Sequence, residues 1–267
     1  MKEKNEEQIK EMVKQKYNDL ALAGRESEGG CCCRKKQVYT IMSDSYQQMP
    51  GYHPDADLGL GCGLPTAFAQ IRPGDTVIDL GSGAGNDCFV ARAETGPKGK
   101  VIGIDFSPAM IAKAIANAQN RGLTNVEFVQ SDIEHTPLPD QTADVIISNC
   151  VLNLVPNKKA VFAEIYRLLK SGGHFSISDI VLTGELPPRL KSAAEMYAGC
   201  VASAINKEEY LHYIRQAGFT ELKIQREKPI IVPEEILAQH LTPEECADYQ
   251  TRPTVIFSLS VYGQRPF

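Results

Sequence analysis

The chain has 267 residues, of which 43% are hydrophobic, and its formal net charge is −5 at pH 7. This length is enough for one large α/β domain with additions or for two small domains, and the apolar share allows a sizeable core. The acidic balance argues against nucleic acid as a partner, and no stretch reaches the roughly 18–20 apolar residues of a membrane span, so we expect no membrane partner either.

The first 58 residues are predicted to form a helix and then a mobile, cysteine-bearing segment. The charged start of the chain lacks the apolar core of a signal peptide, which predicts a cytoplasmic protein. Residues 4–20 carry apolar side chains at helical spacing among many charges, as in an amphipathic helix. Residues 24–36 are rich in glycine and charge and include the run Cys31–Cys33. This composition predicts a mobile loop, and we expect the mobility to extend to residue 58.

Strands and helices alternate from residue 76 onward. The predicted strands are 76–80, 100–105, 126–130, 144–149 and 174–180, and the predicted helices are 86–94, 108–121 and 158–170. This repetition predicts a mostly parallel α/β sheet with helices on both faces.

The last third of the chain has a different order of elements. Two helices are predicted over 187–205 and 208–217, and strands over 220–226 and 254–262 should form a final antiparallel pair. A helical insertion is predicted between these strands. We therefore expect an N-terminal segment, a central ligand-binding domain with covering helices, and an insertion with the last strand, at residues 1–58, 59–228 and 229–267.

The segment Thr76–Gly85 joins a buried strand to a glycine turn, in which Asp79 is followed by glycines at 81, 83 and 85. Such a turn brings free backbone N–H groups and a helix N-terminus to a small-molecule site. The dinucleotide fingerprint G-x-G-x-x-G would need its third glycine where Asn86 stands. A carboxylate two residues ahead of the first glycine suits a ligand with an ammonium group. The pattern resembles the S-adenosylmethionine (SAM) loop of class I methyltransferases.

Later strand ends agree with this resemblance. Asp105 ends the second strand, where a carboxylate can accept hydrogen bonds from both ribose hydroxyls. Asp132 and Ile133 follow the third strand, where the family holds the adenine, and Asn149 ends the fourth, beneath the sulfonium. The resemblance implies a Rossmann-like class I methyltransferase with a seven-stranded, mostly parallel sheet. The SAM-binding residues that it implies are Asp79, Gly81, Gly83, Gly85, Asp105, Met110, Asp132, Ile133 and Asn149.

Eight cysteines occur in the chain, without a CxxC pair. In a cytosolic protein this usage favours thiols, metal or metalloid ligands or redox chemistry over a disulfide framework. The segments GCG at Cys62, SNCVLNLVP at Cys150 and AGCVASA at Cys200, with DCFV at Cys88, closely resemble arsenite methyltransferases. The resemblance covers about residues 40–228. It implies that Cys62, Cys150 and Cys200 bind trivalent arsenic as thiolates.

The other cysteines have different expected roles. A further N-terminal cysteine takes part in the thiol chemistry of that family, and we favour Cys32, with Cys31 and Cys33 left open. We assign Cys88 to the core, because cysteine often acts as a small buried hydrophobe. Cys246 lies outside the resemblance, and we give it no role.

The implied chemistry is consistent with these ligands. Trivalent arsenic is soft, so thiolates are its natural ligands, and three of them leave a lone pair that can attack the SAM methyl group. The site then needs to align the reactants, and no general base is required. Because the transfer formally oxidises arsenic, we expect thioredoxin or glutathione as a reducing co-substrate. The expected substrates are arsenite and methylarsenite, the expected protein partner is thioredoxin, and the expected state is a monomer.

Two other functions stay open from the sequence. The first is a SAM-dependent methyltransferase of a small organic acceptor such as a quinone, in which the cysteines are incidental. The second is a noncatalytic thiol-based sensor of arsenic or metal. A sensor would need a DNA-binding element, and the sequence shows no helix-turn-helix with a basic face.

Overall fold

The structure of the protein is a computed structural model. It describes residues 6–23, 44–190, 201, 203–251 and 255–267. Within these ranges, no helix combines the length and the apolar character needed to cross a bilayer.

Seven strands form one sheet in the described part of the chain. In chain order they are β1 Thr76–Leu80, β2 Lys100–Asp105, β3 Val126–Gln130, β4 Ala143–Asn149, β5 Leu169–Leu182, β6 Thr220–Pro229 and β7 Ile256–Gln264. Their order across the sheet is β3-β2-β1-β4-β5-β7-β6. Strands β1 to β5 are parallel, and β7 is antiparallel to both β5 and β6. The predicted α/β fold with an antiparallel C-terminal pair is confirmed.

The helices begin where the sequence signals place them. The described helices are α1 Glu6–Ala23, α2 Pro65–Phe68, α3 Asn86–Thr95, α4 Pro108–Asn120, α5 Lys158–Leu168, α6 Lys207–Gln216, α7 Glu234–His240 and α8 Pro243–Thr251. Ser107 caps α4 by accepting a hydrogen bond from the Met110 N–H at 3.1 Å, and Pro108 takes the first helical position. Asn157 caps α5 in the same way. The insertion predicted to be helical contains two short helices, α7 and α8.

The two faces of the sheet carry separate apolar cores. Ile78 packs on one face with Phe162 of α5, and its neighbour Val77 packs on the other with Cys88 and Phe89 of α3. Successive side chains of a strand point to opposite faces, so β1 is buried on both sides. Cys88 is a core residue, as predicted.

Strand β5 begins five residues before the predicted start at 174. Leu169, predicted to be helical, is extended with φ −71° and ψ 139° and pairs with Ala143 of β4. Ile205, predicted to end a helix, instead accepts a hydrogen bond from the N–H of Leu182 at 3.0 Å. In both places, pairing with a neighbouring segment outweighs the local helical pattern, as tertiary contacts often do.

Residues 44–58 pack against the body of the domain. Tyr46 is buried, and the carboxylate of Asp44 accepts a hydrogen bond from Arg226 of β6 at 3.0 Å. Residues 24–43, the rest of the segment predicted to be mobile, lie outside the described ranges. The mobility of that segment and the three-part division of the chain therefore stay predictions.

Candidate active site

The glycine turn leaves β1 at the edge of the sheet where the carboxyl ends of β1, β2 and β4 meet. The backbone N–H groups of Gly81 and Ser82 both donate to the carbonyl oxygen of Ile104 in β2, at 2.7 and 2.9 Å. Gly81 has φ +78°, a left-handed conformation that glycine adopts at low cost. The strand order reverses between β1 and β4, and ligands usually bind parallel sheets at such a point.

A cleft of about 1040 Å³, counting its open mouth, lies at this edge. The predicted SAM-binding residues that line it are Gly81, Gly83, Asp105, Met110, Asp132, Ile133 and Asn149. Asp79 and Gly85 are not in its wall, and Cys150 is. The cleft thus connects the predicted cofactor residues with one of the predicted arsenic ligands.

Asp105 is buried where β2 ends. Its carboxylate accepts hydrogen bonds from the N–H of Gly83 at 3.0 Å and from the N–H of Ser107 at 2.9 Å. Burial raises the pKa of Asp105 to about 6, and the same hydrogen bonds partly oppose this rise. Two carboxylate oxygens offer about four acceptor sites, so Asp105 retains capacity for hydroxyl donors of a ligand.

Asp79 contacts α3 instead of lining the cleft. Its carboxylate accepts a hydrogen bond from the thiol of Cys88 at 3.3 Å. Burial and the nearby charge of Asp87 raise the pKa of Asp79 well above its usual range. An ammonium group bound close to these two carboxylates would offset the cost of their buried charge.

Some polar atoms at the cleft lack a partner in the described structure. The hydroxyl oxygen of Ser82 and the side-chain carbonyl oxygen of Asn86 are buried without a hydrogen bond, and both residues line the cleft. Among the described residues, no atom lies within 4 Å of a Cβ added to Gly83. Buried polar groups are nearly always paired, so these atoms and this open space fit a polar ligand that approaches the backbone.

Two of the predicted arsenic ligands meet beside the cleft. The thiol sulfurs of Cys62 and Cys150 and a carboxylate oxygen of Asp179 all lie within 4.8 Å of one another. Each of the three residues is at most 2% exposed. No disulfide bond joins these two cysteines to each other. Cys200 and Cys32, the other predicted thiols, lie outside the described residues.

The backbones of both cysteines are anchored to the sheet. Cys150 directly follows β4 with φ +61°, and its N–H donates to the carbonyl oxygen of Ser178 in β5 at 2.7 Å. The carbonyl oxygen of Cys62 accepts a hydrogen bond from the Ser258 hydroxyl at 2.6 Å. A Cβ added to Gly63 would lie 2.6 Å from the hydroxyl oxygen of Ser178. The glycine after Cys62 therefore lets its loop approach β5 closely.

Asp179 was not predicted as a site residue. Its carboxylate accepts hydrogen bonds from the amide of Asn153 at 2.8 Å and the hydroxyl of Tyr210 at 3.4 Å. Burial raises the pKa of Asp179 to about 7, and the positive charge of Lys158 opposes this rise. One feature of the sequence could have identified it as a site residue. Asp179 stands near the predicted end of a strand, as Asp79 and Asp105 do.

Tyr46 and Asp87 form a buried pair in the cleft wall. The hydroxyl of Tyr46 donates to the carboxylate of Asp87 at 2.8 Å. Burial raises the pKa of Asp87 to about 6 against the opposing hydrogen bonds from Tyr46, Asn149 and Thr66. Burial and the Asp87 charge raise the pKa of Tyr46 well above its usual range, so its hydroxyl stays a donor.

Helix α1 forms part of the cleft wall, with Lys10 and Tyr17 among its contributions. The ammonium of Lys10 donates to the carboxylate of Asp132 at 2.7 Å. The hydroxyl of Ser107 donates to the side chain of Asn18 at 2.6 Å. The amphipathic pattern of α1 predicted a buried face, but no local signal identifies the surface that buries it.

Comparisons with known proteins agree with this geometry. Residues 71–218 match a methyltransferase domain family. The arsenite methyltransferase of Halobacterium salinarum is 40% identical over 240 residues, which are 83% of this chain and 60% of that protein. The arsenite methyltransferase of Aquipseudomonas alcaligenes is 32% identical over 239 residues, which are 86% of this chain and 68% of that protein. An arsenic(III) S-adenosylmethionine methyltransferase structure from Chlamydomonas reinhardtii has a TM-score of 0.64 and 32% identity, covering 76% of this chain and 66% of that one.

The matches differ in how much of each protein they cover. The chain spans about 60% of the length of the Halobacterium relative. A ubiquinone/menaquinone biosynthesis C-methyltransferase of Xanthomonas campestris is 36% identical but matches only 40% of this chain, so the quinone alternative has less support. The chain covers two thirds of the Aquipseudomonas relative, and the methyltransferase domain covers more than half of the chain. The chain belongs to the arsenite methyltransferase family of class I SAM-dependent methyltransferases.

Proposed function

We propose that this chain transfers the methyl group of SAM to trivalent arsenic held by cysteine thiolates. The observation that carries the proposal is the convergence of the Cys62 and Cys150 thiols with Asp179, within 4.8 Å, beside a cleft that the glycine turn and Asp105 also line. A thiol pair suits a soft, thiophilic acceptor. A quinone acceptor would give no reason for two buried thiols at this place.

The thiolates hold the acceptor in position. Cys62 and Cys150 each bond to arsenic, and Cys200 is the third ligand in this proposal. A Cβ on Gly81 would lie 2.3 Å from the side chain of Val151, so the segment that carries Cys150 packs directly on the glycine turn. This contact supports an alignment of the acceptor with the methyl donor, and alignment is the main contribution that the site has to make.

In its ionised form, the carboxylate of Asp179 adds negative charge beside the thiols. Asn153 and Tyr210 hold its orientation by the hydrogen bonds described above. Two thiolates and a carboxylate concentrate negative charge in a buried space, where charge is poorly screened. An electron-poor centre such as trivalent arsenic relieves this repulsion when it binds.

SAM supplies an electrophilic methyl group on its sulfonium when it is bound. In this proposal Asp105 accepts hydrogen bonds from the ribose hydroxyls, and Asp132 and Ile133 border the adenine. Asp79, which does not line the cleft, acts on the ammonium group through its charge. The unpaired atoms of Ser82 and Asn86, the open space at Gly83 and the position of Met110 in the cleft wall are consistent with this binding mode.

We further propose that a thiol reductant, thioredoxin or glutathione, completes the cycle. Each transfer raises the formal oxidation state of arsenic by two, and two thiols can return those electrons by forming a disulfide. Cys32 is the candidate thiol for this step, with Cys62 as its partner. We propose arsenite and methylarsenite as substrates and a cytoplasmic monomer as the working form.

The direct test of this function is to incubate the full chain with arsenite, SAM and glutathione and to separate the arsenic species by chromatography with mass detection. We expect methylated arsenic and a matching amount of S-adenosylhomocysteine. A parallel reaction with a quinone acceptor should give no methylated product. Absence of methylated arsenic from a protein that binds SAM normally would contradict the proposal.

Cofactor affinity should depend on pH through Asp105. The ribose hydroxyls need the ionised carboxylate as acceptor, and the pKa of Asp105 in the free protein is raised to about 6. Binding therefore favours loss of the proton, and the contribution of Asp105 to the affinity should fall by up to ~10-fold per pH unit below that value and level off above it. Titration calorimetry with S-adenosylhomocysteine between pH 5 and 8 measures this dependence.

The matched variant for this measurement is Asp105→Asn. It should bind S-adenosylhomocysteine more weakly at pH 7.5 and show a smaller pH slope, because its side chain does not ionise. The affinity of the variant should still depend on pH to some extent, because burial raises the pKa values of Asp79 and Asp87 as well. If the affinity of Asp105→Asn depends on pH as steeply as that of the wild type, Asp105 does not accept hydrogen bonds from the ribose hydroxyls.

A further inference from the structure

The side chain of Asn149 is joined to the loop that carries Cys62. Its Oδ1 accepts hydrogen bonds from the backbone N–H groups of Cys62 at 3.0 Å and Gly63 at 3.3 Å. Its Nδ2 donates to the carbonyl oxygen of Gly63 at 2.9 Å. A planar amide presents its donor and acceptor in fixed directions, so these three bonds set both the position and the orientation of the loop.

The main chain of the same residue carries Cys150. Asn149 ends β4 and pairs with Ser178 of β5, and Cys150 follows it in a left-handed conformation with φ +61°. Such a conformation in a non-glycine residue persists only where the surroundings enforce it. Asn149 therefore connects to one thiol through its side chain and to the other through its backbone.

The amide of Asn149 has little freedom to move. Its Nδ2 also donates to the hydroxyl of Tyr46 at 2.6 Å and lies 3.3 Å from the carboxylate of Asp87. A Cβ added to Gly61 would come within 2.6 Å of the same nitrogen. The Asn149 amide is thus held between the loop that carries Cys62 and the buried Tyr46–Asp87 pair.

We propose that Asn149 is a positioning residue that fixes the separation between the thiols of Cys62 and Cys150, so that both can bond to one arsenic atom. The identity of the bound atom rests on the proposed function, whereas the separation itself rests on the hydrogen bonds above. This role differs from the contact with the cofactor that the sequence predicted for Asn149. It makes the amide a determinant of acceptor binding.

The first test measures the thiol separation without arsenic. The full chain is treated with the thiol oxidant diamide, and the Cys62–Cys150 disulfide is quantified by mass spectrometry of the linked peptides. Asn149→Ala should form this disulfide at least roughly 10-fold more slowly, since it loses the three hydrogen bonds that hold the loop. Gly61→Ala should also slow the formation of this disulfide, because its methyl group displaces the loop while the Asn149 amide stays in place.

Asn125→Ala is the matched control for Asn149→Ala. The amide of Asn125 also bridges backbone carbonyl oxygens of a glycine turn, those of Gly96 at 3.1 Å and Gly99 at 2.8 Å, away from the thiols. This variant should lose stability without a change in the rate of disulfide formation. Equal slowing in both variants, or the wild-type rate in folded Asn149→Ala, would overturn the proposal.

The second test separates this role from the proposed function. Asn149→Ala should raise the KM for arsenite by roughly 10-fold while the KM for SAM stays within about 2-fold. A rise confined to the KM for SAM would overturn the positioning role in favour of a cofactor contact. If the disulfide rates differ as expected but no variant methylates arsenic, the proposed function fails and the positioning of the thiols stands.

Discussion

Replacing Cys150 by serine is expected to lower the rate of arsenite methylation by at least ~10³-fold and to leave the affinity for SAM within about 3-fold of wild type. A serine hydroxyl does not bond to trivalent arsenic as a thiolate does, so the acceptor loses the ligand that lines the cofactor cleft. The thiol of Cys150 makes no contribution to the proposed ribose and adenine contacts. Methylated arsenic is measured under initial-rate conditions, and affinity by calorimetry.

Cys246→Ser is the matched control for this variant. Cys246 is a half-buried cysteine of α8 that packs on the same apolar cluster as Cys62 and Cys150. The same chemical change at that position should alter stability slightly and leave methylation within about 2-fold of wild type. A Cys150→Ser protein that methylates arsenite at the wild-type rate would show that the thiol pair is not the acceptor site.

Gly81→Ala is expected to lower the free energy of unfolding by about 2–4 kcal/mol. Gly81 has φ +78°, which an alanine adopts only with strain, and the added methyl group would lie 2.3 Å from the side chain of Val151. The turn and the segment that carries Cys150 and Val151 would have to separate, which moves Cys150 as well. Chemical denaturation measures the loss of unfolding free energy. The rate of arsenite methylation should also fall, because Cys150 moves.

Gly83→Ala provides a contrast two residues away. Its φ of +53° carries a cost of about 1 kcal/mol for alanine, but the new methyl group meets no atom of the described residues within 4 Å. We expect the fold to persist and the affinity for S-adenosylhomocysteine to fall by at least roughly 10-fold, because the methyl group takes space that the ligand needs. Equal effects of both variants on unfolding would contradict the described geometry of the turn.

Local patterns predicted the elements of the fold because the forces that define them act over short distances along the chain. The short apolar runs and the turn residues that bound them set β1, β2 and β3 at the observed bounds. The start of β5 was missed because Leu169 continues a helical pattern and is extended only through its pairing with Ala143. That partner lies 26 residues earlier, beyond the reach of any local signal.

The sequence by itself determined the alternating α/β fold, the glycine turn, the acid at the end of β2 and the resemblance that named the cofactor and acceptor. These features depend on neighbouring residues and on the motif around Cys150. Only the tertiary structure added Asp179 to the expected pair of Cys62 and Cys150 and placed α1 in the cleft wall. The order of strands in the sheet decides which distant segments become neighbours, and that order follows from packing the whole chain.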